Sequence, residues 1–264
     1  MRSWPPLVVG RALSAATLIA FACVAAPGCE RKAIPRAQPA AAILTGYVRL
    51  AEGAQLPAYA SQDLARQPLH VRPPSAVPPE CARAIEAARR PITLSGEGRL
   101  AGVVVAASDF TRFREREPSV HRVAIRGCRL QPAVVAAMAG DTLALENEDS
   151  FPFEPLLGPA FSARPLAPGR RVLLPLAGGK VESIQCTRTA PCGRTDVVVF
   201  QHPVHTLTDA RGEFRIEGFP PSELVRVSAW HPLFEESQTF VWVEPGAAVS
   251  VELVLEPRQR FRAP

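Results

Sequence analysis

The stretch GDTLALENEDSFPFEP, residues 140–155, decides the reading of the middle of this chain. Leu143 and Leu145 alternate with Thr142, Ala144 and Glu146, so residues 141–146 read as a half-buried strand. Asn147, Glu148 and Asp149 close it with a polar turn, and Phe151-Pro152 follows. The flanks repeat this grammar of short β-prone runs broken by turns. Upstream, residues 100–107 (LAGVVVAA) read as a buried strand, 120–125 as an alternating one, and 132–137 as an apolar run before the Gly140-Asp141 turn. Downstream, residues 170–174, 181–186 and 196–200 read the same way, with a Gly178-Gly179-Lys180 hairpin turn between the first two. Near the start, residues 43–50 (ILTGYVRL) form the first strand. Residues 55–80 are proline-rich and read as extended or irregular chain. Residues 81–90, CARAIEAARR, are the one good helix candidate, unbroken until Pro91. With 28 prolines and 17 glycines in 264 residues, turns outweigh long helices. The expected fold class is all-β, built as Greek-key β-sandwiches.

The first residues read as an export signal. Arg2 and Arg11 are the only charges before Glu30, and an apolar run over 12–26 is too short to span a bilayer comfortably. Ala26-Pro27-Gly28-Cys29 then resembles a bacterial lipobox, which implies cleavage after residue 28 and a lipid on Cys29. Secretion after Ala25 or Ala26, or an uncleaved anchor, are the other fates. Residues 29–42 read as a flexible tether. The expected place is the periplasm or outer membrane. The net charge of +5 falls to +3 once Arg2 and Arg11 leave with the leader. The mixed-sign run Arg112–Glu117 reads as a solvated loop or strand end, so no nucleic-acid partner is expected. Of six cysteines, Cys23 leaves with the signal and Cys29 takes lipid. Cys81, Cys128, Cys186 and Cys192 remain, which in an exported chain means two disulfides, with three possible pairings.

At residues 140–155 the chain resembles the cupredoxins, the plastocyanin-like blue-copper proteins. There a strand after GDT leads to a polar pair, and an F-P-H-N-type segment supplies the first histidine ligand. The matching frame here is Phe151-Pro152-Phe153-Glu154, so Phe153 stands at the histidine position. The resemblance also implies a Cys with His and Met just downstream, because blue copper takes a trigonal Cys-His-His set with a weak axial Met. Cys186 is the candidate, but residues 187–194 hold neither His nor Met, and Met1 and Met138 are the only methionines. No metal is therefore expected. The alternative is a copper-binding electron-transfer protein with Cys186, His202 and His205 as a non-standard set.

From Thr206 the signature changes. Thr208-Asp209-Ala210-Arg211-Gly212-Glu213-Phe214, Pro220-Pro221 and the runs 224–230, 238–243 and 248–255 resemble the carboxypeptidase regulatory-like, or transthyretin-like, β-sandwich. That resemblance places Asp209 and Gly212 in a hairpin turn. The expected organisation is signal peptide 1–28, tether 29–42, N-terminal strands and Pro-rich arm 43–107, cupredoxin-like domain 108–203, regulatory-like domain 204–257 and tail 258–264. Whether residues 108–200 are inserted into the C-terminal module stays open.

The five histidines are His70, His121, His202, His205 and His231. His202 and His205, three apart on an extended segment, are expected on opposite faces. His231 follows Trp230 at a strand end, where packing is the expectation. His121 fits either face of its strand. No G-x-S-x-G, H-E-x-x-H or phosphate loop is present, so no catalytic residue is assigned and no enzyme is expected. Most of Phe214, Phe219, Trp230, Phe234, Phe240 and Trp242 are expected in the C-terminal core. Any left exposed would serve an unknown protein or carbohydrate partner.

Overall fold

The computed structural model describes residues 42–66, 79–110, 113, 115–157, 165–188, 190–218 and 223–261. The leader, Cys29, the tether up to residue 41, His70, the turn at 219–222 and residues 262–264 lie outside the described residues. In chain order the first elements are β1 (Ile43–Leu50), β2 (Ala65–Arg66), α1 (Pro79–Ala88), β3 (Thr93–Leu94), β4 (Leu100–Ala101) and β5 (Val104–Ser108). The middle of the chain gives β6 (Val120–Arg126), β7 (Arg129–Gln131), β8 (Val134–Met138), β9 (Thr142–Asn147), β10 (Pro155–Leu157), β11 (Arg171–Pro175), β12 (Lys180–Thr187) and β13 (Arg194–Phe200). Last come β14 (His205–Leu207), β15 (Glu213–Glu217), β16 (Glu223–Trp230), β17 (Ser237–Val243) and β18 (Ala248–Leu255). The protein is all-β, as its turn-rich composition implies.

The strands form two sandwiches. The central one pairs a sheet of order β10-β12-β13-β8, with β2 beside β12, against a sheet of order β11-β9-β6-β7. Its core holds Val123, Ile125, Leu143, Leu145, Leu174, Ile184, Val197 and Val199, the inward phase of alternating strands. The terminal sandwich pairs β15-β1-β18 against β14-β5-β16-β17. Its core is drawn from both ends of the chain, including Leu44, Val48, Val105, Phe214, Val225, Val227, Val251 and Leu253. Each such side chain, fully buried, contributes about 1.5–3 kcal/mol. The two strands read before residue 108 thus share sheets with the C-terminal strands. β1 runs parallel to β18 and antiparallel to β15, and β5 lies between β14 and β16. The central sandwich is threaded between β5 and β14, so residues 43–107 do not stand apart from the C-terminal module.

Two glycines explain local departures. Gly102, at φ +79°, breaks the run 100–107 into β4 and β5, where a single strand was expected. Gly46 lies opposite Phe214, and a Cβ there would sit 1.9 Å from the Val251 carbonyl oxygen, so only glycine lets β1 and β18 approach.

The sandwiches meet through the outer faces of β5 and β16 on one side and β8 and β13 on the other. Val104 packs with Val134 and Val198, flanked by Ala136, Phe200, Leu207 and Trp230. A polar cluster seals the same junction. Tyr59, inside the terminal core, donates its hydroxyl at 2.9 Å to the buried carboxylate of Asp196 on β13. Arg194 holds that carboxylate through Nε at 3.0 and 2.9 Å and lies over the Tyr59 ring. Burial pushes the Tyr59 phenol far above its ordinary range, and the Asp196 charge adds to it.

Candidate functional site

The cupredoxin resemblance locates a site at one end of the central sandwich, where the loop after β9 meets the loop between β12 and β13. The loop after β9 is held by its own polar residues. The buried Asn147 side chain donates to the carbonyls of Phe151 at 2.9 Å and Leu166 at 2.8 Å. Asp149 accepts from the backbone N–H groups of Gly127 and Cys128, each at 2.7 Å. Those two residues form the two-residue β6–β7 turn, with φ of +56° and +58°. That handedness matches a twisted hairpin. Anchored in this way, the loop points Phe153 into the core.

Phe153 is fully buried and bridges to Leu166 through backbone bonds of 3.2 and 2.7 Å. Its ring packs on Phe151 at 4.7 Å between centroids. Across from it, Cys186, next to last in β12, is bonded to Cys192, while Cys81 on α1 is bonded to Cys128 in the hairpin turn. Of the three possible pairings, the structure selects this one. All four cysteines lie in one apolar cluster with Phe153, Leu130, Leu166 and Ile184. The loop carrying Cys192 is pinned further by Leu130 N–H, which donates to its carbonyl at 2.8 Å.

This donor set does not fit copper. A phenyl ring has no lone pair to offer, and a sulfur committed to a disulfide is not a thiolate. The alternative set fares no better. The Cys186 sulfur is taken, and among the described residues no group of three or more His, Cys, Asp and Glu could hold a metal ion.

His202 and His205 do not take opposite faces. Residues 201–203 bend instead of running straight, so both rings pack on Phe200, at 5.8 and 4.5 Å. His205 Nδ1 meets the His202 carbonyl at 3.0 Å, and the Val204 N–H donates to His202 Nδ1 at 3.3 Å. Burial lowers the basicity of both, taking His205 to about 4. His231 is fully buried, pressed edge-on against Phe234, and burial lowers it to about 3, with Arg194 adding to the effect.

A charged knot that the sequence does not announce lies at the opposite end of β9, where that strand begins. Asp141, the aspartate of GDT, is fully buried. Arg116 grips both its oxygens at 3.0 and 2.5 Å, the Ser119 and Met138 N–H groups donate at 2.8 Å each, and His121 Nε2 lies 2.8 Å away. Burial alone would raise this carboxyl, but Arg116, the two N–H groups and His121 outweigh it and hold the group well below the usual range. Arg116 comes from the mixed-sign run expected to be solvated. Only the alternation of charge there hinted at a partner. Every bond of the knot is internal, which makes it a brace.

The expected turn in the terminal sandwich is present. Asp209 Oδ1 accepts from Arg211 N–H at 2.8 Å and Glu213 N–H at 3.0 Å, and Gly212 takes φ +77°. The aromatic expectation needs correction. Phe214 and Phe234 are core residues and Trp230 lies at the junction, but Phe240 and Trp242 face solvent. Val241 and Val243 hold the inward phase of β17 instead.

No family model matches this chain, and no curated protein matches it. Several solved structures do, over about a third of its length. A purple cupredoxin from Nitrosopumilus maritimus is 20% identical, covering 30% of this chain and 98% of its own, at a TM-score of 0.27. An amicyanin from Paracoccus versutus is 17% identical, covering 30% of this chain and 80% of its own, at 0.28. A copper-containing nitrite reductase from Thermus scotoductus is 21% identical over 33% of this chain and 23% of its own, also at 0.28.

Proposed function

We propose that this chain is an exported, non-enzymatic lipoprotein anchored through Cys29. In this reading its cupredoxin-like sandwich works without copper as a rigid body. Its terminal sandwich, similar to the carboxypeptidase regulatory-like modules, presents a binding surface at the cell envelope. One observation carries the reading. Where the resemblance calls for a histidine and a thiolate, the chain has the buried Phe153 ring and the Cys186–Cys192 disulfide. Both fill the loop end with apolar contacts and leave no donor. The leader expected over residues 1–28 supports export, and two disulfides are at home in an oxidising compartment.

The test is direct. The purified mature protein is titrated with Cu(II) while free thiol is counted and the intact mass recorded. The expected sample stays colourless, shows no free thiol, and carries a diacylglyceryl mass on Cys29. An intense thiolate-to-copper absorption at one copper per chain would refute the copper-free reading. A mass showing Cys29 removed or unmodified would refute the anchor.

A further inference from the structure

An edge strand offers a row of unpaired N–H and C=O groups to any strand that reaches it, and proteins protect such edges. Most edges here are protected. β11 carries Arg171 and Pro175, β15 carries Glu213, Arg215 and Glu217, β18 carries Glu252, and β10 begins at Pro155. β2, β7 and β14 have three residues or fewer, and β8 is largely buried beside the terminal sandwich. β17 is long and uncharged, and only the residues leading into it are tied down, where the Glu235 N–H donates to the Glu256 carbonyl at 2.8 Å just past β18. Its sequence, SQTFVWV, has no charge and no proline, and among the described residues it pairs only with β16.

The face beside this edge is also bare. Phe240 and Trp242 are each 56% exposed, and Leu224, opposite Trp242 on β16, is 53% exposed. The other end of this same sheet face already forms an interface, where Val104 and Trp230 meet the central sandwich. The uncovered half continues that surface outward.

Charge at the ends of the strand selects the occupant. Glu235 and Glu236 precede β17 and Glu244 follows it, and all three are exposed. None forms an ion pair with a described residue. If β17 paired antiparallel with a second copy of itself, the acidic start of one strand would face the acidic end of the other, and like charges placed opposite repel. A strand with cations at both ends meets attraction there instead.

Resting on the reading of this chain as a binding module, we propose that β17 docks an extended segment of a partner protein, matched to it in length, with alternating apolar side chains and Lys or Arg at both ends. The segment adds a fifth strand to the β14-β5-β16-β17 sheet. Its main chain bonds to the free edge of β17, and alternate apolar side chains lie beside Phe240 and Trp242. Its terminal cations face Glu235 and Glu236 at one end and Glu244 at the other.

The probe is a synthetic peptide of alternating valine and threonine with paired arginines at each end. A second peptide has glutamates in place of the arginines. Both are added to the full mature protein, and binding is read by hydrogen exchange of the β17 amides and by Trp242 emission. The basic peptide should protect those amides and shift the emission to the blue, and the acidic one should do neither. Trp242→Ser should weaken binding about tenfold. The triple change Glu235→Lys, Glu236→Lys, Glu244→Lys should reverse the preference between the peptides. The proposal is overturned if neither peptide protects β17, or if the triple change leaves the preference as it was. It is equally overturned by a concentration-dependent dimer that Phe240→Lys abolishes, which would make a second copy the occupant. Copper absorption alongside peptide binding would sink only the copper-free reading. A colourless protein that ignores both peptides would sink only the docking edge.

Discussion

Replacing Asp141 by Asn tests whether the charged knot beneath the GDT turn is structural. The substitution preserves shape but removes the charge and turns one acceptor oxygen into a donor. Five donor contacts converge on the Asp141 carboxylate, from Arg116 twice, Ser119, Met138 and His121. An amide can satisfy only part of that set, and the Arg116 guanidinium is left without its counter-charge. Breaking a fully buried pair on one side costs about 3–5 kcal/mol, and because Arg116 keeps 29% of its side chain exposed to water the cost here is about 2–3 kcal/mol. For a chain of this size each kcal/mol moves the melting temperature about 2–4 °C, so the variant should melt about 4–12 °C lower at pH 7. The pH dependence gives an independent handle. The Asp141 carboxyl titrates below its ordinary value in the folded protein. Its stabilisation is therefore complete above the unfolded value of about 4 and fades as the pH falls below it. Urea unfolding followed by circular dichroism at pH 7, 4 and 2.5 should show the gap between the two proteins narrowing with acid. A loss under about 1 kcal/mol at pH 7, or a gap that stays constant, would refute the account.

The two disulfides should differ in worth. Cys81–Cys128 closes 47 residues and Cys186–Cys192 closes 6, so loop entropy assigns about 4 kcal/mol to the first and about 2 kcal/mol to the second. Paired Cys→Ala variants in chemical denaturation should fall in that order, and the reverse order would contradict it. His231 should make the protein acid-sensitive. Burial lowers its folded value to about 3, so the unfolded chain takes up a proton first as the pH falls below about 6.5. Stability should then drop by up to about 1.4 kcal/mol per pH unit towards pH 3. His231→Asn keeps an acceptor for the Leu233 N–H and should flatten that slope. An unchanged profile would show that the buried imidazole does not govern it.

What the sequence displays and what it hides divides along a physical line. Alternation within one strand is local, and so β1 and β18 coincide with the runs 43–50 and 248–255. A missing donor is local too. Phe153 can be seen to lack a lone pair without knowing what surrounds it. Partners are not local. Nothing near Arg116 announces Asp141, 25 residues on, and nothing in β1 announces a parallel neighbour more than 200 residues away. The phase of an alternating strand is hidden for the same reason. SQTFVWV presents one face with Phe240 and Trp242 and another with Thr239, Val241 and Val243, and period two cannot say which is inward. Bulk favours the aromatics, but the inward face of β16 already brings Val225, Val227 and Ala229 against Phe214 and Phe234. A core holding those two rings has little room for two more, so β17 turns its valines in and its aromatics out. The exposed rings are thus a packing consequence of the terminal sandwich. Because they fall on a long edge without charge or proline, the step that completes the core also leaves bare the surface proposed above to dock a partner.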